Sequence, residues 1–210
     1  MIVHNRLISS VNGPGRRAVV WLQGCTLGCR GCWNAHTHSF DRADNETPPS
    51  LATWILAQSE IEGVTFSGGE PMQQAADLYR VISEVKGREP RLSIGMFTGY
   101  NLAELDEGRF KFRQATLDNG GQHSAAWIND PAETSRSWGR IRALLDFAVA
   151  GRFQQSKLDT TTPMRSSRNQ QLHLFSDRYV ESDFPKQSVE IRIRPGGLTT
   201  ITGFPIGVKL

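Results

Sequence analysis

At 210 residues the chain has the size of one domain, and 38% hydrophobic with 21% charged residues is an ordinary globular balance. Its 24 basic and 21 acidic residues leave a net charge of +3, too even for the electrostatic footprint of a nucleic-acid binder. Met1-Ile2-Val3-His4-Asn5-Arg6 has no signal-peptide core, and no apolar run approaches the roughly 18 residues that span a bilayer, so a cytoplasmic protein without membrane association is expected.

The first clear element is Ala18-Val19-Val20-Trp21-Leu22, a β-branched and aromatic run that predicts a buried strand. Gly24 ends it, and Cys25, Cys29 and Cys32 follow at once; the chain has no other cysteine. An odd count within eight positions cross-links nothing distant, which argues against a disulfide framework and for metal ligands in a reducing compartment. Two metals suit these thiolates. Three can hold three irons of a cubane cluster and leave the fourth open to a substrate. Joined by His36, they can also close a tetrahedral Cys3His zinc site, although such sites usually prop up a core thinner than this chain can build. His36 and His38 otherwise read as plain loop residues. Arg16, Arg17 and Arg30 gather near the cysteines in sequence, as a solvated face or an anion site.

Past Pro48 and Pro49, Ser50 caps an expected short helix to about residue 59, and Gly63-Val64-Thr65-Phe66 forms a second strand. It runs into Ser67-Gly68-Gly69-Glu70-Pro71, where Pro71 suits a first helical turn. Leu78, Val81, Ile82 and Val85 then repeat at helical spacing up to a terminating Gly87. A third strand over 92–97 delivers Thr98-Gly99-Tyr100, and Asn101 with Glu104 has the form of a capping box. Three strand-to-helix units imply a parallel sheet, with the unusual residues of each unit on one C-terminal rim. Met72 and Met96 read as core. Further strands are expected at 144–149 and 171–175, and 189–201 reads as an antiparallel hairpin. Eight barrel units need about 250 residues, so any barrel is partial and open on one side. Residues 108–138, with Asn119-Gly120-Gly121 and Asn129-Asp130-Pro131, show no sustained period and read as an insertion, lid or docking segment of a single domain.

The cysteine triad together with Ser67-Gly68-Gly69-Glu70-Pro71 resembles the radical S-adenosylmethionine (SAM) superfamily. Asn12-Gly13-Pro14-Gly15-Arg16, the 24–34 stretch, Thr98-Gly99-Tyr100 and Arg165-Ser166-Ser167-Arg168-Asn169-Gln170 are similar to the activating proteins of anaerobic ribonucleotide reductase. The resemblance implies an α/β partial (β/α) barrel with a C-terminal antiparallel hairpin, and a [4Fe-4S] cluster on Cys25, Cys29 and Cys32. It further implies SAM bound through Gly68, Gly69, Glu70, Thr98 and Asn34, a glycyl-radical enzyme as partner, and an electron donor such as flavodoxin or ferredoxin. Departures from the pattern are Gly31, where many superfamily members carry an aromatic residue, and Ala150, where an acidic one is common; adenine contacts stay unassigned. Three functions remain: an activase drawing hydrogen from a partner's glycine, a radical enzyme acting on a small molecule or peptide, and a zinc-stabilised module without catalysis.

Overall fold

The computed structural model describes residues 1–41, 45–117, 123–193, 196 and 199–204. Its strands are β1 (Val3–Ser9), β2 (Arg17–Leu22), β3 (Gly63–Gly68), β4 (Ser93–Thr98), β5 (Phe112–Leu117), β6 (His123–Ile128), β7 (Phe147–Ala150), β8 (Gln171–Leu174), β9 (Val189–Ile193) and β10 (Thr199–Gly203). Helices α1 (Pro48–Leu56), α2 (Ala75–Arg88), α3 (Leu102–Asp106) and α4 (Pro131–Arg142) connect them. Six strands form one sheet in the order β1-β2-β3-β4-β7-β8. The inner four are parallel, and β1 and β8 run antiparallel at its edges. Among the described residues no helix is long and apolar enough to cross a membrane.

Inner parallel strands are buried on both faces, which is why they read as unbroken apolar runs. One face carries Val20, Val64, Phe66 and Ile94 against Leu51 and Ile55 of α1, Leu78 and Ile82 of α2, and Trp138 and Ile141 of α4, with Met72 and Met96 buried as expected. A second cluster of Phe147, Val149, Met164, Tyr179, Phe184 and Phe204 has Phe97 and Trp33 packed against it. The parallel register aligns Leu22 with Gly68 and Thr98 with Ala150, so the four strand ends share one rim.

Several local expectations change. Helix α1 starts at Pro48, its cap is Thr47 and not Ser50, and Thr47 Oγ1 accepts from the Ser50 N–H. Prolines are tolerated in a first turn, where the amide has no helical partner to lose. Gly87 does not end α2, which runs through Arg88; Pro71 opens a 3-10 turn instead. The 108–138 stretch is structured: it holds the β5/β6 hairpin and most of α4, while Asn119-Gly120-Gly121 lies outside the described residues. Asp130 caps α4 by accepting from the Glu133 N–H, and buried Trp138 donates its indole N–H to Asp106. Asn129-Asp130-Pro131 was therefore a helix start, not a loop turn.

Arg17 belongs to the opposite end of the sheet from the cysteines. It is fully buried at the start of β2, and donates to Thr65 Oγ1 at 2.7 Å, Ser93 Oγ at 2.8 Å, and the carbonyls of Pro14, Val64 and Ser93. Its guanidinium lies 5.1 Å from the Phe147 ring centroid. Burial pulls its pKa below the usual value, and the neighbouring Tyr179 and Glu62 push back. It is neither a solvated face nor an anion site.

Candidate active site

Three strand ends build the site. β2 delivers the cysteine loop, which is held from both sides. Gly24 N–H donates to Thr37 O at 2.7 Å and Cys25 N–H to His38 O at 2.9 Å, folding the loop back on itself. Thr26 N–H donates to the Gln73 side chain, whose amide returns a bond to Thr26 Oγ1 and another to Tyr100 Oη. Gly24 has φ of 105°, and a Cβ there would meet the Phe40 ring at 2.2 Å, so glycine is required. Phe40 in turn packs edge-on to Trp127 of β6, which ties the β5/β6 hairpin to the cysteine loop.

β3 delivers Gly68, Gly69 and Glu70. The glycine pair has a structural reason of its own: a Cβ on Gly68 would lie 2.5 Å from the Leu22 backbone, and one on Gly69 2.3 Å from Gly24 O. Gly69 N–H donates to Leu22 O and Glu70 N–H to Gly24 O, extending the ladder of β2 and β3 into the cysteine loop. Glu70 forms part of the cavity wall but is fully buried. Its carboxylate accepts from Met72 N–H at 2.9 Å, Thr98 Oγ1–H at 2.8 Å and Gly99 N–H at 2.7 Å. Burial pushes its pKa up to about 7 against these three donors. Thr98, at the end of β4, is thus fixed by Glu70, and the carboxylate joins two strand ends.

Cys25, Cys29, Cys32, Asn34, Glu70 and Thr98 line one cavity of about 270 Å³. With Gly68 and Gly69, these are the residues expected to hold the cluster and SAM, whereas Arg16, Arg17 and Arg30 are not in the wall. Ser166 and Gln170, from the stretch similar to the activating proteins, also join the wall, and further walls were missed by sequence reading: Trp33, Phe97 and Phe153 beside the cysteines, and Ile201 to Phe204 from the C-terminal hairpin. Trp33 packs tilted against Phe153 at 5.7 Å and edge-on against Phe204 at 6.2 Å between ring centroids. Asn12 donates to Ser9 Oγ and Thr202 Oγ1, both at 3.0 Å, anchoring β10 over the sheet. Arg152, beyond Ala150, is held by Glu104 at 2.7 Å and by the Tyr100 ring, within electrostatic reach of Cys29.

Burial pushes the Cys25 thiol up to about 12 and raises Cys32, and the neighbouring Cys29 sulfur adds to both. A cationic metal centre reverses that preference, because thiolate is the ligating form. A zinc site requires its donors about 2.0–2.3 Å from a single ion. Among the described residues no three His, Cys, Asp or Glu side chains converge in that way. His36 and His38 line the same cavity as the cysteines, and the His36 ring lies 4.7 Å from that of His4. A cubane cluster, which takes each thiolate on a different iron, fits three cysteines that share a cavity without meeting at a point.

Comparison with known proteins agrees with this donor set. The family model described as a 4Fe-4S single cluster domain matches residues 11–173. The anaerobic ribonucleoside-triphosphate reductase-activating protein of Vibrio cholerae is 30% identical over 175 residues, covering 80% of this chain and 94% of that protein. The protein of the same name from Escherichia coli K12 is 25% identical over 172 residues, 79% of this chain and 93% of the relative. That of Enterobacteria phage T4 is 34% identical over 102 residues, 46% of this chain and 65% of the relative. With the cysteine rim, the matched domain and the two bacterial relatives covered almost end to end, the chain belongs to the family of anaerobic ribonucleoside-triphosphate reductase-activating proteins, built on a 4Fe-4S single cluster domain.

Proposed function

We propose that this protein is a radical SAM activase that draws a hydrogen atom from a glycine of a partner enzyme, an anaerobic ribonucleotide reductase, on a sheet acting as a partial (β/α) barrel. The observation that carries this reading is the meeting of Cys25, Cys29 and Cys32 with Gly68, Gly69, Glu70 and Thr98 around one cavity. When bound, the cluster with SAM at its open iron supplies reductive cleavage of the sulfur to C5′ bond and a 5′-deoxyadenosyl radical.

The chain's part is ligation, orientation and exclusion of water. Cys25, Cys29 and Cys32 hold the cluster. The Gly68-Gly69-Glu70 turn and Thr98 set the methionine end of SAM, with Glu70 acting by locking the rim and Asn34 facing the same space. Replacing Glu70 with Ala strands the Met72 and Gly99 amides and the Thr98 hydroxyl. It is expected to leave cluster iron unchanged and weaken SAM binding about tenfold, or about 1.4 kcal/mol. Equilibrium dialysis with labelled SAM measures this, and normal affinity would show that the turn serves folding alone. One electron enters from a donor of the flavodoxin or ferredoxin type.

The relatives are named as reductase-activating proteins, which favours a segment of a partner enzyme as the hydrogen donor. The test is anaerobic turnover with a reductase deuterated at the Cα of its glycines. Deuterium is expected in 5′-deoxyadenosine, and an electron paramagnetic resonance signal of a glycyl radical in the partner. Turnover on a metabolite, with neither label nor signal, would move the protein to the small-molecule class.

A further inference from the structure

Ile201 of β10 lines the cavity, and its register partner on β9 is Ile191. Residues directly opposite each other in an antiparallel pair share a face, so Ile191, and Ile193 two residues on, continue the side of the hairpin that carries Ile201. Burial falls along this line: Ile191 is 55% exposed and Ile193 74%, the most exposed of the large apolar side chains among the described residues. The other face of β9 is engaged, because Glu190 accepts from the Ser10 N–H and from Arg192 Nε. The hairpin therefore presents an apolar strip that begins in the wall of the cavity and ends in solvent.

We infer that this strip, Ile201, Ile191 and Ile193, is the docking track along which an extended, glycine-bearing segment of the partner enzyme reaches the cavity. The inference rests on the activase reading and specifies its substrate contact. The strip is at most two side chains wide, with Ile201 and Ile191 side by side across the ladder, which matches an extended segment, whereas a helix with side chains measures roughly 10–12 Å across. A second copy of this chain is a poor occupant, since two isoleucine faces fall far below the roughly 800 Å² per partner of a stable interface. A small contact suits an enzyme that must release each activated partner.

The experiment uses the full-length protein, reconstituted anaerobically, with its cognate reductase. The double variant I191T/I193T keeps β-branched side chains on the strand. Its cluster iron, and its SAM cleavage in the absence of partner, are expected to match the wild type, while KM for the reductase rises at least tenfold. A photoreactive benzoylphenylalanine at position 193 is expected to cross-link to the reductase near its radical glycine, located by mass spectrometry. An unchanged KM, or cross-links confined to a second copy or to residues 205–210 of the same chain, would overturn the track while leaving the activase reading intact. A wild-type protein that cleaves SAM but installs no glycyl radical would overturn both.

Discussion

Cys29→Ala protein, reconstituted without oxygen, is expected to emerge colourless, with cluster iron and SAM cleavage both below detection. Two thiolates remain, and among the described residues no His, Asp or Glu joins the cysteines closely enough to complete a metal site. The fold should survive. Cys29 is only half buried and absent from both apolar clusters, and the loop is held through Gly24, Cys25 and Thr26. A thermal melt of the metal-free variant should therefore overlay that of metal-free wild type, which separates a lost ligand from a lost structure. A brown, active Cys29→Ala protein would remove this residue from the ligand set.

The largest effect on stability is expected at the other end of the sheet. Arg17→Met keeps most of the apolar length but removes every donor, leaving the carbonyls of Pro14, Val64 and Ser93 short of a partner where water is excluded, while the Thr65 and Ser93 hydroxyls keep Asn12 O and the Tyr179 hydroxyl. Each stranded group costs about 1–3 kcal/mol, partly offset by the charge that need no longer be buried. A net loss of about 3–5 kcal/mol follows, a fall in Tm of roughly 6–20 °C for a chain of this size. Urea unfolding of the metal-free protein reads it directly. A loss below about 1 kcal/mol would mean that the network at the base of β2, β3 and β4 reorganises around a neutral side chain.

What could be read from the sequence was what is local. The cysteine loop, the Gly68-Gly69-Glu70 turn and the Asn101 capping box each follow a strand within a few residues, and apolar runs such as 18–22 mark those strands. β1 escaped notice because a register shift between Val3 and Asn5 breaks its alternation. α4 escaped because only Thr134, Trp138 and Ile141 are buried in an otherwise polar segment. Arg17 was misplaced because its sequence distance to Cys25 is short, while a strand of six residues carries the two to opposite ends of the sheet. That the Glu70 carboxylate takes bonds from Thr98 and Gly99 could not be read in advance, because only the β3 and β4 pairing brings these partners near. Ile201 was legible as part of a hairpin but not as a wall of the cavity, since nothing in its own pattern reveals that Asn12 fastens that strand over the cysteines.

That wall arises late in biosynthesis. The cysteines leave the ribosome early, whereas Ile201, Thr202, Gly203 and Phe204, which close the cavity, are translated long after them. At roughly 5–20 residues per second the thiols wait on the order of ten seconds or more before their enclosure exists. Until β10 is in place, the cysteine loop lacks one wall of the chamber it lines in the finished fold.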